Sequence, residues 1–314
     1  MPHKVTSEDF MSACRRLKSP TEVAKHLELT VRGVTARMQR MEERGVRFEV
    51  VSKSSRRHVP DTNPSRLQKE IKNGTVLIAS DCHYFPGTIT RAHKAFVKLC
   101  KELKPRTVVM NGDVFDGAQI SRWPRIGWDN KPTVKQELET CQDRLSEVEK
   151  ACVGAEFVWN LGNHDARFET RLAAEAPEYQ GIKGFALKDH FPRWKPCWSF
   201  FINENTVIKH RFKGGIHATH ANTLWAGRTI VTGHLHSLKV TPFSDYNGCR
   251  WGVDSGTLAE PYSEPFRDYT EDAPLNHRSG FVVLNYLDGR LMPPELCHVV
   301  DDIGPIFRGQ ILDV

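Results

Sequence analysis

The sequence is poor in the features that mark a membrane span, a disulfide scaffold or a repeat array. None of its apolar runs approaches the roughly 20 residues that a bilayer-spanning helix needs, so no membrane partner is expected. The first ten residues, MPHKVTSEDF, lack the apolar stretch of a secretion signal. Eight cysteines, at 14, 82, 100, 141, 152, 197, 249 and 297, never form a C-x-x-C pair. That spacing excludes a compact disulfide framework and points to reduced thiols in a cytoplasm. No internal repeat and no low-complexity segment occurs, which excludes solenoids and fibrous classes. What remains is ordinary globular composition: 314 residues, 39% hydrophobic and 26% charged, enough for one large domain and a small one.

Basic excess is also missing from most of the chain. Residues 73–314 hold 28 Lys and Arg against 29 Asp and Glu. Residues 1–72 hold 16 against 9, so they carry the whole of the net +6. A basic segment on a near-neutral body suits a polyanionic partner. The segment reads as helices. Phe10, Cys14 and Leu17 share a face, and Ser19-Pro20-Thr21-Glu22 has the form of a capped helix start. A further helix runs from about 31 to 44 with Val34, Met38 and Met41 at core spacing. VRFEVVS then alternates like a strand and KSSRRH follows as a basic loop. This order resembles the winged helix-turn-helix of bacterial and phage transcription regulators. The resemblance implies DNA binding through Arg32 and Arg40 on the recognition helix and Lys53, Arg56 and Arg57 on the wing. Thr30, Thr35 and Gln39 are further exposed positions of that helix. The expected boundaries are 1–58 for this module, 59–73 for a polar, proline-containing linker, and 74–314 for the body.

The body has α/β texture. Strands are expected at 75–80 (TVLIAS), 107–110 (TVVM) and 157–161 (FVWNL), with amphipathic helices over 90–104 and from Val134 to Cys152. After about 195 the runs SFFIN, TVIK, TIVTG and GFVVLNY follow without long helices, which predicts a second, more antiparallel sheet. The expected fold is therefore a two-sheet α/β sandwich flanked by helices, plus a small N-terminal helical domain.

Chemistry-bearing residues sit at the C-terminal ends of these runs, where α/β sheets place their sites. They are Asp81-Cys82-His83, Gly112-Asp113-Val114-Phe115-Asp116, Gly162-Asn163-His164-Asp165, His210, and Gly233-His234-Leu235-His236. Residues i and i+2 of an extended chain point the same way, so D-x-H and H-x-H each aim two donors together. Carboxylate and imidazole donors together suit Mn, Fe, Zn or Ni better than Ca or Mg. Each of these motifs alone is weak, but five in order are highly specific.

This series resembles the calcineurin-like metallophosphoesterase superfamily over most of residues 74–260. The resemblance implies two divalent cations, manganese first with iron, zinc or nickel as alternatives. Asp81, His83, Asp113 and His236 would hold the first, and Asp113, Asn163, His210 and His234 the second. His164 would be the general acid, with Asp165 orienting it and Asp116 orienting a metal ligand. Two such cations acidify a water and neutralise phosphoryl oxygens, a mechanism for phosphate-ester hydrolysis. The lone histidine departs from the His-Gly of many members, since Arg211 follows His210. His217 and His220 compete for the role, and His210 is preferred because it ends an apolar strand.

The substrate is less directly written. Arg122, Trp123, Arg125 and Trp128 follow the second motif, and Arg167 lies close to the third. Arginine and tryptophan beside such a site suit a nucleic-acid strand through phosphate pairing and base stacking. A nuclease tethered by a DNA-binding module is the leading expectation. The alternatives are a phosphomonoesterase on a small molecule or phosphoprotein, and a DNA-binding regulator with a sensory phosphoesterase domain. The pairing of modules suits a phage or bacterial protein.

Overall fold

The computed structural model describes residues 5–17, 19–46, 48, 65–122, 131–261 and 276–314. The chain divides into two compact units, Met1–Asn63 and Pro64–Val314.

In the first unit, α1 (Ser7–Leu17), α2 (Pro20–His26) and α3 (Val31–Glu42) pack around Phe10, Ala13, Cys14, Val23, Ala24, Val34 and Met38. Pro20 opens α2 as expected, but Ser19 makes no side-chain capping bond. Thr30 does cap α3, its hydroxyl accepting the Gly33 amide at 3.1 Å. Thr30 stays exposed as well. Arg32 and Arg40 are exposed, and Arg40 Nε donates to the Ala36 carbonyl. Of the expected strand only Val46 and Phe48 are described, and neither is in a strand; its remainder and the wing, with Lys53, Arg56 and Arg57, lie outside the described residues.

The second unit is a two-sheet sandwich with helices. Part of the stretch expected to be a linker belongs to it: β1 (Arg66–Lys69) pairs with β6 (Ser199–Ile202), and Ile71 is buried. The first sheet, among the described residues, has a parallel half made of β2 (Gly74–Ala79), β3 (Thr107–Met110), β4 (Glu156–Asn160) and β5 (Trp194–Cys197). The second sheet has the order β1-β6-β7-β8-β10-β9, with β7 (Thr206–Ile208), β8 (Thr229–Thr232), β9 (Lys239–Asp245) and β10 (Gly248–Asp254). It corrects the expectation of a more antiparallel sheet, because β1-β6, β7-β8 and β8-β10 are parallel pairs. GFVVLNY is not in that sheet at all. As β11 (Gly280–Leu287) it runs antiparallel to β2 and extends the first sheet, followed by β12 (Arg290–Leu291), β13 (Glu295–Val300), β14 (Gly304–Phe307) and β15 (Gln310–Ile311).

The first sheet is covered on both faces, which is why its central strands are apolar throughout. Leu77, Val108, Met110, Phe157 and Trp159 face α4 (Arg91–Leu103) and α5 (Val134–Ala151). Val76, Ile78, Val109 and Val158 face Phe200, Ile202, Ile208, Val231 and Val253 of the second sheet. Thr90 caps α4, and Thr133 with Gln136 forms a full capping box on α5. Shorter helices, α6 (Arg167–Glu175), α7 (Leu187–His190) and α8 (Ala218–Ala226), fill the connections. No helix among the described residues is long and apolar enough to cross a membrane.

Candidate metal centre

The loops after β2, β3 and β4 come from the first sheet, and those after β7 and β8 from the second. All five converge at one end of the sandwich. Among the described residues three donor clusters result: Asp81, His83 and His236 in one, Asp113, His210 and His234 in a second, and His83, Asp116 and His164 in a third that shares His83, each with donor atoms within 4.8 Å of one another. His236 Nε2 lies 2.9 Å from Asp81 Oδ1, and His210 Nε2 lies 3.0 Å from Asp113 Oδ2. His217 is exposed at the N-terminus of α8, and His220 is exposed against the Phe243 ring, so neither joins the clusters.

The backbone is bent to make this convergence possible. Asp81, His83, Asp113, His234 and His236 all have φ between +40° and +71°. Non-glycine residues pay on the order of 1 kcal/mol or more for that conformation, and such strain concentrates at functional sites. The loops interlock to hold it: Asp81 and His83 amides donate to the Gly112 and Asp113 carbonyls at 2.9 and 3.0 Å. The glycines beside the ligands act mainly by leaving space. A Cβ on Gly162 would lie 2.0 Å from Asp113 Oδ1, on Gly233 2.7 Å from Asp81 Oδ2, and on Gly112 2.4 Å from the His210 ring. Only Gly112 among the three also needs a positive φ, of +90°.

Asp81 and Asp113 are 0% and 1% exposed, and buried carboxylates demand compensating positive charge. Burial pushes the Asp81 carboxyl up, but His236 and His210 outweigh this and bring it down to about 2. Asp113 is likewise driven well below the carboxylate range, burial being overcome chiefly by His210. Burial pushes the His210 ring down, yet the Asp81 and Asp113 charges override it and lift it to about 10. His234 goes the other way, lowered by burial and by the neighbouring His210 charge. Divalent cations would supply the same compensation. The donors fit them: Asn163 Oδ1, in the loop after β4, is buried with no hydrogen-bond partner among the described residues, an acceptor that a cation or a bound molecule would satisfy. His210 Nδ1 sits 2.7 Å from the Asn111 carbonyl, which fixes the ring and turns Nε2 toward Asp113.

His164, of the third cluster, stands beside the other two, its Nε2 3.9 Å from Asp113 Oδ2. Its partner is Asp116, not Asp165. Asp116 Oδ1 lies 2.7 Å from His164 Nδ1. Arg167 Nη2 lies 3.1 Å from His164 Nε2, and its Nη1 donates to the Asp116 carbonyl at 2.9 Å. A guanidinium only donates, so here Nε2 accepts and the ring proton is on Nδ1. Asp165 points away from His164. Its carboxylate accepts the amides of Gly162, Asp113, Val114 and Phe115 and the Trp159 indole, at 2.8 to 3.0 Å. The expected role for Asp165 in orienting His164 is thus corrected: with five donors to satisfy, it ties the second and third motif loops together. Arg122 is exposed, while Trp123, Arg125 and Trp128 lie outside the described residues.

The five converging loops in this order match the calcineurin-like phosphoesterase family over residues 74–257. The chain belongs to that family. A calcineurin-like phosphoesterase is a hydrolase of phosphoester bonds, and its candidate metal ligands are the first two clusters above. No curated protein matches the chain. Among solved structures, zinc-complexed Vps29 from Entamoeba histolytica matches at 13% identity and TM-score 0.38, covering 72% of this chain and 93% of its own. A Saccharomyces cerevisiae protein serine/threonine phosphatase matches at 14% identity and TM-score 0.37, covering 77% and 86%. The Escherichia coli phosphoesterase Yfce matches at 15% identity and TM-score 0.31, covering 70% and 97%.

Three nearby residues escape a motif reading of this phosphoesterase. His277 Nδ1 lies 3.3 Å from His236 Nδ1, with ring centroids 4.4 Å apart. It follows no apolar strand, so nothing local marks it. Burial lowers its ring to about 4, with the His236 charge adding to the effect. Glu137, on α5, accepts the Gly117 and Ala118 amides at 2.7 and 3.1 Å. Asp254, ending β10, accepts those of Ser237 and Gly256 at 3.1 and 3.0 Å. Their only signal was an acidic residue inside an otherwise apolar face.

Proposed function

We propose that this phosphoesterase hydrolyses phosphodiesters in nucleic acid at a two-metal centre, with the N-terminal helical unit holding DNA. The supporting observation is the pair of donor clusters. In this reading Asp81, His83 and His236 hold one ion, Asn163, His210 and His234 hold the other, and Asp113 serves both. Bound divalent ions supply charge to neutralise phosphoryl oxygens and to acidify a water. The remaining work belongs to the chain itself. Asp116 holds His164 through Nδ1 and so aims Nε2 at the reacting phosphate; as a general acid Nε2 must first gain a proton, and the imidazolium so formed, stabilised by the Asp116 carboxylate, passes that proton to the departing alkoxide. Arg167, the donor beside Nε2, turns to the phosphoryl oxygens, and its charge-assisted bonds orient the ester. For the N-terminal unit, the excess of 13 basic over 8 acidic residues in 1–63 favours contact with phosphates.

The test is an activity panel with Mn²⁺: single- and double-stranded DNA, RNA, a bis-aryl phosphodiester and an aryl phosphomonoester. Hydrolysis of nucleic acid that weakens on deleting residues 1–63 is the expected result. Turnover of the monoester alone would refute the nucleic-acid reading.

A further inference from the structure

We propose that residues 209–228 form a track that carries a single nucleic-acid strand away from the metal centre along α8. The inference rests on the nuclease reading and names a substrate-binding surface for it. The segment begins at the centre, because His210 is one of its donors. It then runs Arg211-Phe212-Lys213-Gly214-Gly215-Ile216 into α8. Its 20 residues hold four Lys and Arg and no Asp or Glu. No carboxylate among the described residues pairs with Arg211 or Lys213.

Aromatic surface is interleaved with that charge. Trp225 is 69% exposed and Phe212 40%. A large apolar side chain left in water by a folded domain signals a contact surface more often than a lone exposed leucine does. Lys213 Nζ lies 3.9 Å from the centre of the Trp225 ring, and Lys209 Nζ 5.4 Å from that of Phe212. Each ring therefore carries a cation at its face, the pairing that binds a base and its phosphate together. The basic loop is pinned rather than loose. Buried Asn222 accepts the Lys213 amide at 3.1 Å, and Lys239 Nζ donates to the Ile216 carbonyl at 2.9 Å. The opposite side of α8 cannot serve, since it packs on β10, where a Cβ on Gly252 would meet the Thr219 carbonyl oxygen at 2.0 Å. Stacking on exposed rings needs unpaired bases, which selects a single strand over a duplex.

The experiment uses the full chain and labelled short oligothymidylate, read by fluorescence anisotropy. Trp225→Ala should weaken binding roughly tenfold. Arg211→Ala with Lys213→Ala should reduce the slope of log affinity against log salt by roughly 0.7 for each phosphate contact removed. Because the N-terminal unit is also basic, each variant is compared with the parent in the same full chain. Variants that bind like the parent would overturn the track. So would a parent that ignores the strand, or one that prefers anionic lipid vesicles or a polyglutamate peptide. Track-dependent strand binding without hydrolysis of any nucleic acid would uphold the surface and refute the nuclease reading instead.

Discussion

Asp116 Oδ1 lies 2.7 Å from Nδ1 of His164. The same oxygen lies 2.9 Å from Nδ1 of His83, so one carboxylate orients both a candidate ligand and the candidate acid. Burial pushes the Asp116 carboxyl up, but hydrogen bonds from His164 and His83 outweigh it and hold it well below the usual range. Asp116→Asn should therefore fold and keep metal, while kcat on a bis-aryl phosphodiester falls roughly 10- to 100-fold. Parental kcat in that variant would show that the ring orientations do not depend on this carboxylate.

Asp165 should behave as a structural residue. Removing its carboxylate strands four backbone amides and the Trp159 indole without acceptors in a buried loop. At about 1 kcal/mol or more for each of the five orphaned donors, Asp165→Ala should lose roughly 5 kcal/mol of stability. A fall in Tm on the order of 10 °C would report it. A variant with parental Tm and no activity would instead point to direct participation in the chemistry.

Gly162→Ala should empty the centre. The new Cβ would sit 2.0 Å from Asp113 Oδ1 and 2.4 Å from its amide nitrogen, and the displaced group is the carboxylate assigned to both ions. Metal analysis after dialysis should show less than the parental content, and the Tm gain that Mn²⁺ gives the parent should shrink with it. Full occupancy would mean that the loop yields without moving Asp113.

Glu156 offers a pH test far from the metal centre. Lys69 of β1 and Lys195 of β5 donate to it at 2.5 and 2.7 Å, and Lys69 also reaches Thr107, joining the second sheet to the first. Burial pushes the Glu156 carboxyl up, but the bonds from Lys195 and Lys69 win and lower it. A carboxyl lowered on folding stabilises the protein above its unfolded value, near 4.3, and that contribution is lost as pH falls through the folded value. Urea midpoints should therefore drop between about pH 5 and pH 3 in the parent, and drop less steeply in Glu156→Gln. Parallel profiles would remove Glu156 from the account.

Much of the fold was legible because its signals are local. The runs at β2, β3 and β4 are apolar on both faces, and α4 and α5 carry apolar stripes with Thr90 and Thr133 at their caps. What failed was pairing. GFVVLNY looks the same whether it extends one sheet or the other, since alternation says which residues are buried and not which strand lies alongside. Arg66–Lys69 reads as linker because its burial is partial, at a sheet edge.

The sequence by itself determined the donors of the candidate metal centre: their types, their order and their place after strands, because those properties lie within a few residues of each other. Only the tertiary structure decided what the second carboxylates do. Asp116 and Asp165 are each a few residues from His164 or Asp113 along the chain or across it, and no spacing rule separates them. The packing does, by giving Asp165 five buried donors to satisfy and leaving Asp116 two imidazoles. Likewise, the left-handed backbone at Asp81, His83, Asp113, His234 and His236 is unfavourable for each residue alone. It persists because interlocked loops from two sheets hold it, and that cooperation exists only in the folded chain.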